Sequence, residues 1–469
     1  MLRDRPGMVP LTLAIMKMPG SHTVRERIAR DIDQTIRPRL RATLRTPSRP
    51  AADDRRAPLL DNLLGVRLVW TLTKFNPSFL CQPQHGDILE SLRWRWVKLS
   101  ELSVDNVPPL ARDYPEAPTD LKNLYRKILK CLLAYCRSDR SDKQVLFDLL
   151  KGFSYQPIID LTPLLRFFTE EVPSTFPRRR QAGIMETALN KVEASRGTHE
   201  QRYAMFEFAF MPLALSCADS QERFEELFPR STLELFLRTF FGLAVGDHGE
   251  SVPKWKFIQI NLEHSSQVCY EQFHVELIKA LSVILRRVQD GERLLACLYP
   301  REQHCRQIIA FLREFARKGI DGATREWACY ALTLLCLRIM DLASGKLAPT
   351  GEAPASGPAR MNELVSEAEH CAGWVLPLML EQSHEPACKA LVGKTVTNLI
   401  KFYETRGKQQ GAASEQVRRS FSAALDFEGR EHQRADLCTL VVQNAEVLYP
   451  YHEDLSRRLY ELIRASVRP

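Results

Sequence analysis

The recurrence of apolar residues at helical spacing constrains this chain more than any other feature. Over residues 119–136, Leu121, Leu124, Tyr125, Ile128, Leu129, Leu132 and Leu133 share one face, and Lys122, Arg126, Lys127 and Lys130 fall between them. That spacing builds a helix with one side to bury and one to solvate. Thr119 and Asp120 supply the N-cap chemistry that starts it. The same pattern returns from about residue 58 onward. It predicts helices at 58–75, 87–99, 142–152, 160–171, 179–194, 201–216, 231–244, 269–289, 302–317, 323–343, 361–381, 385–404, 412–425, 431–446 and 451–466. Turn residues separate them, at Asn76-Pro77, Pro108-Pro109, Pro173, Pro177, Pro229 and Gly319. Strand-like alternation is nearly absent.

Helices of this length joined by short gaps cannot each bury a face alone, so they must pair and stack. No strict period repeats. The expected fold is therefore all-α: an irregular, HEAT-like alpha-solenoid of stacked antiparallel helix pairs, each about 40–47 residues long. The expected organisation is a basic, partly disordered segment over 1–57, a helical array over 58–344, a flexible linker or insertion over 345–360, and a second helical array over 361–469. The linker reading rests on the composition of GKLAPTGEAPASGPAR. Glycine is scarce, at 21 residues in 469, which also favours helix.

Charge is unevenly placed. Residues 1–56 hold 13 Lys/Arg against 6 Asp/Glu, a net of +7, and the remainder is nearly neutral at +1. Such a basic leader is suited to nucleic acid or an acidic partner. The twelve cysteines form no C-x-x-C pair, and several, such as Cys131, Cys329 and Cys336, lie on apolar faces. They read as buried thiols of a reducing compartment, neither a disulfide frame nor a zinc site. No run of 18 apolar residues is present, so no membrane span is expected. Pro10 and Lys17 interrupt the mildly apolar start, which argues against a secretory signal.

Catalytic signatures fail on inspection. Val392-Gly393-Lys394-Thr395 resembles the end of a phosphate-binding loop, but Cys388 stands where the first glycine is required. Asp426-Phe427-Glu428-Gly429 carries an inserted glutamate relative to a kinase D-F-G and has no companion motifs. The neighbours His304/Cys305 and His370/Cys371 point about 100° apart on a helix and cannot share a metal. The carboxylates Glu170 and Glu171 close a helix and read as solvated. No catalytic, cofactor-binding or metal-binding residue is predicted, and no cofactor. The candidate partner-binding residues are Arg93 and Trp94, within the aromatic-basic run Arg93–Lys98, and Arg178, Arg179 and Arg180, whose charge opposes the dipole of the helix they begin. Trp96 shares a face with Leu89, Leu92 and Leu99 and is assigned to the core.

Several runs carry a family resemblance. LLAYC (132–136), VLFDLLKGF (145–153) and LLRFFTEEVP (164–173) follow one another as corresponding helices do in the HEAT region of the TRRAP family. GVRLVWTLTKF (65–75) and SLRWRWV (91–97) fall upstream in matching order, and EPACKALVGKTV (385–396) and AEVLYPYHEDLSRRL (445–459) downstream. The resemblance spans 58–215 and 385–466, is weak between 216 and 384, and leaves the first 57 residues unmatched. It implies a fragment of the helical arm of a PI3-kinase-related pseudokinase. It further implies a nuclear, non-catalytic docking surface for subunits of histone acetyltransferase co-activator complexes and for transcription activators. Two alternatives stay open. One is a nucleic-acid-binding helical protein using the basic N-terminus and helix 87–99. The other is a helical-repeat regulator of a kinase complex.

Overall fold

The computed structural model describes residues 22–31, 56–75, 77–97, 117–139, 141–150, 160–193, 204–244, 257–261, 266–270, 273–289, 304–318, 322–344, 358–381 and 389–410, together with isolated positions elsewhere. They divide between two compact units, one formed by Met1–Leu213 with Pro253–Glu271 and one by Ala214–Val252 with Gln272–Pro469. Both are helical, in keeping with the all-α, HEAT-type class. The predicted helix at 412–425, all but isolated positions of those at 431–446 and 451–466, and most of the 345–360 linker lie outside the described residues.

The first unit holds α1 (His22–Asp31), α2 (Arg56–Phe75), α3 (Gly86–Val97), α4 (Ala117–Cys136) and α5 (Lys143–Leu150). It continues with α6 (162–175) and α7 (Arg178–Glu193). Helix α4 packs against α2, α3 and α5. Its seven predicted apolar positions are all buried, whereas Lys122 and Arg126 are exposed. Helix α5 is buried over its last six residues, which is why VLFDLL reads as a continuous apolar run broken only by Asp148.

Proline leaves a mark that the sequence does not announce. A break is expected at Pro173, yet the helix continues to Thr175. It does so by widening to a π-turn over Phe167–Glu171, with the Val172 amide donating to the Phe167 carbonyl. A second π-turn, Met205–Phe210, is followed directly by the helix Met211–Ser216, which contains Pro212. In both cases the carbonyl four residues before the proline, at Thr169 and Phe208, lies inside the π-turn. A proline ring clashes with that carbonyl in a regular helix and cannot donate to it, and the wider turn moves the carbonyl aside.

Helix α8 (Met211–Ser216) is divided between the first unit, to Leu213, and the second, which also holds α9 (Gln221–Leu227), α10 (Arg230–Ala244), α11 (Phe273–Arg287), α12 (His304–Lys318), α13 (Gly322–Ala343), α14 (Pro358–Glu381) and α15 (Lys389–Gln410). Helix α13 is the axis of the second unit. It packs on α11, α12, α14 and α15, and residues 328–336 are buried without interruption. Helix α14 begins at Pro358, inside the tail of the predicted linker.

One strand pair departs from the helical expectation. β1 (Phe257–Asn261) and β2 (Ser266–Tyr270) form an antiparallel hairpin with Phe257 opposite Tyr270 and Asn261 opposite Ser266. The helix predicted from residue 269 therefore begins at Phe273. Ile258–Asn261 alternates apolar and polar residues over only four positions, and Ser266–Tyr270 does not alternate, so neither stands out against the helical pattern downstream.

Candidate interaction surface

The aromatic-basic run on α3 is tied inward. Trp96 is 1 % exposed, and its indole N–H donates to the carbonyls of Asp148 at 3.1 Å and Leu149 at 3.2 Å. Arg93 pairs with the carboxylate of Asp148, which also accepts from Gln144 Nε2 at 3.2 Å. Arg95 is buried with its guanidinium 5.9 Å from the Tyr125 ring centroid. Trp94 is half-buried. Of the two residues predicted here to meet a partner, Arg93 is thus engaged in latching α3 to α5.

The arginine triplet at the start of α7 splits by role. Arg178 and Arg179 are exposed, and Arg180 turns back toward the end of α4. Its guanidinium donates to the carbonyls of Ser138 at 3.0 Å and Cys136 at 2.7 Å and to the Ser141 hydroxyl. It also stacks 4.0 Å from the Phe176 ring centroid. Positive charge is unfavourable for the N-terminus of α7 but favourable for the C-terminus of α4, whose last carbonyls have no intrahelical partner. Burial pushes the Arg180 pKa down from its usual value, partly countered by the polarity of Cys136 and Asp139.

The same device recurs. Arg202 donates to the Val192 carbonyl at 2.9 Å, closing α7. Arg338, on α13, donates to the carbonyls of Leu285 at 2.7 Å and Arg286 at 2.8 Å, closing α11. Arg287 donates to the Ala218 carbonyl at 2.8 Å in the turn after α8. A neighbouring pair, Arg137 and Glu171, forms a bidentate bridge at 2.7 and 2.8 Å. Glu171, expected to be solvated, therefore has a fixed cation, and the contact raises the Arg137 pKa. Arginine acts in these places as a stitch between helices.

A different group of cations has no such task. Arg67 and Lys74 on α2, with Lys122 and Arg126 on α4, are exposed, and Lys127 and Lys130 on α4 are half-buried. Lys130 Nζ lies 5.9 Å from the ring centroid of Trp70 on α2. Burial, followed by the charges of Lys130, Arg67 and Arg126, holds the Lys127 ammonium below its usual pKa. Periodicity along α4 puts its cations on a solvent face, but their juxtaposition with Arg67 exists only once α2 and α4 pack.

Other candidate chemistry is accounted for by helix packing. Val392–Thr395 lies within α15, where the Thr395 hydroxyl donates to the Leu391 carbonyl at 2.9 Å. A phosphate-cradling loop is incompatible with that backbone. Asp426–Gly429 lies outside the described residues. Among the described residues, no group of three or more potential ligands converges for a metal ion, and no helix is long and apolar enough to cross a membrane. Burial pushes the thiol pKa up to about 12 at Cys136 and Cys329 and to about 11 at Cys371. These are protonated packing groups, not nucleophiles.

Comparison with known proteins agrees with this architecture. The family model of the Tra1 HEAT repeat ring region matches residues 4–291. The human transformation/transcription domain-associated protein is similar at 24 % identity over 172 residues, 36 % of this chain but 4 % of that protein. The chain thus spans a small fraction of the relative's length. No solved structure matches. The family match covers most of the first 57 residues and part of the stretch after 216, where no run of the sequence carries the resemblance, and it ends before 385–466.

Proposed function

The chain belongs to the family of the Tra1 HEAT repeat ring region, and from that premise we propose that it is a non-catalytic scaffold segment of a nuclear histone acetyltransferase co-activator complex. Its partners are other protein subunits and transcription activators. The observation that carries the reading is the family match across residues 4–291, with the transcription-associated human relative in support.

The structural chemistry is in accord with this role. Apolar side chains are consumed in helix packing, half-buried arginines close neighbouring helix ends, and charged residues such as Lys122, Arg126, Arg178 and Arg179 are exposed. The mechanism is geometric: packed helices hold surface residues in fixed positions, so that docking costs little conformational ordering. Exposed Arg178 and Arg179, at the start of α7, together with half-buried Trp94, are the proposed contact residues from the sequence-derived set.

Affinity purification of the full chain from nuclear extract tests the proposal. Enrichment of acetyltransferase subunits is expected. Cytoplasmic residence, or enrichment of an active kinase without those subunits, would count against it.

A further inference from the structure

We infer that the paired outer faces of α2 and α4 contact the phosphodiester backbone of nucleic acid. Three observations carry the inference. The first is convergence: Lys122, Arg126 and Lys130 recur every four residues along α4, in steps of roughly 6 Å, and Lys127 flanks them toward Arg67 on α2. The second is the absence of compensation. Among the described residues, none of Arg67, Lys74, Lys122, Arg126, Lys127 and Lys130 has a carboxylate partner. By contrast Arg93, Arg137, Arg180 and Arg338 are all engaged within the fold. Like charges at this spacing repel one another, and the suppressed Lys127 ammonium records that repulsion together with partial burial.

The third observation chooses the occupant. Protein-binding surfaces centre on buried aromatic or aliphatic anchors and are depleted of lysine. Neither α2 nor α4 carries an exposed large apolar residue among the described positions. The one aromatic group on the face, Trp70, is half-buried and lies near the Lys130 ammonium. A lysine-rich surface without an apolar anchor suits a partner held by regular anionic charge. Lysine and arginine contacts to phosphates have that character and carry no sequence preference. The surface is distinct from helix 87–99, whose Arg93 and Arg95 are directed inward.

The test uses the full chain and a fluorescent duplex DNA, with anisotropy followed over a salt series. The wild-type chain is expected to bind with a steep salt dependence. A variant with Arg67→Ala, Arg126→Ala, Lys127→Ala and Lys130→Ala is expected to lose at least about tenfold in affinity, and the log–log salt slope to shrink by up to about 3.6, from about 0.9 per phosphate contact. Arg126→Glu alone is a second variant at an exposed site, expected to reduce affinity several-fold without disturbing the circular dichroism spectrum. Arg230→Ala, at an exposed position of the second unit, should leave binding unchanged. Removing residues 1–56 should weaken binding, because that segment has its own net positive charge, but the α2/α4 variants must still lower what remains. The inference is overturned if folded α2/α4 variants retain wild-type affinity and salt slope. It is equally overturned if a poly-glutamate peptide binds this face more tightly than the duplex, which would make it an acidic-protein surface.

Discussion

Arg180 occupies the third position of α7 and delivers its charge to the last carbonyls of α4, through bonds of 2.7 and 3.0 Å. Its side chain is 11 % exposed, so water does not readily replace those bonds when the guanidinium is removed. Arg180→Ala is expected to destabilise the chain by about 1.5–3 kcal/mol, the range for a hydrogen bond to a charged group. Exposed Arg179→Ala should stay within about 0.5 kcal/mol. Thermal melting of the two variants provides the comparison. A sharper contrast lies on α4, where Leu129 is 1 % exposed and Arg126 is exposed. Leu129→Asp buries an unpaired carboxylate and should cost more than about 4 kcal/mol, whereas Arg126→Ala should change little; equal melting temperatures would contradict the assigned helix face. The thiols add a dependence on pH. Cys136 is pushed from 9.0 in the unfolded chain up to about 12 in the folded one, so the unfolded state releases its proton first as pH rises. Its contribution to stability should therefore decline above about pH 9, and a thiol reagent at neutral pH should label Cys136 only after denaturant is added.

At the scale of elements, the packed face of α4 is legible, because its apolar positions from Leu121 to Leu133 keep helical rhythm over about three turns and its outer residues are charged. Helix α13 was legible as a helix but not as the axis of its unit. Leu332, Leu334, Leu335 and Ile339 cover more than one side, and a pattern without a polar face does not say how many neighbours surround it. The roles within the candidate surface were less visible. Trp96 could be assigned inward from Leu89 and Leu92, but the partner of Arg93 lies on α5, and no local pattern names Asp148. Arg180 looked unfavourable because its own helix was the only one in view. The π-turns escaped for the opposite reason: Pro173 is conspicuous, but it signals a break only where the helix cannot widen. Pro173→Ala is expected to let a regular α-helix form over 167–175 and to raise stability, by no more than the roughly 3 kcal/mol that separates proline from alanine inside a helix. Amide exchange across Phe167–Glu171 would register the change, and an unchanged pattern would show that the π-turn has another cause.

Across the whole molecule, charge and packing are distributed differently. The first 56 residues have a net charge of +7, and the rest of the chain is nearly neutral. Removing them should make the protein elute from a cation exchanger at markedly lower salt at neutral pH. Residual retention should then depend on Arg67, Arg126, Lys127 and Lys130, and substituting all four should abolish it.

The burial of α13 has a bearing on how natural variants in the second unit would be interpreted. Its middle residues, 328–336, are all buried, so no visiting molecule reaches them while the unit is folded. A harmful substitution at Leu332 or Leu335 would lower the amount of intact protein in a cell before it altered any binding event. Restoring abundance, by growth at lower temperature, should restore the phenotype as well.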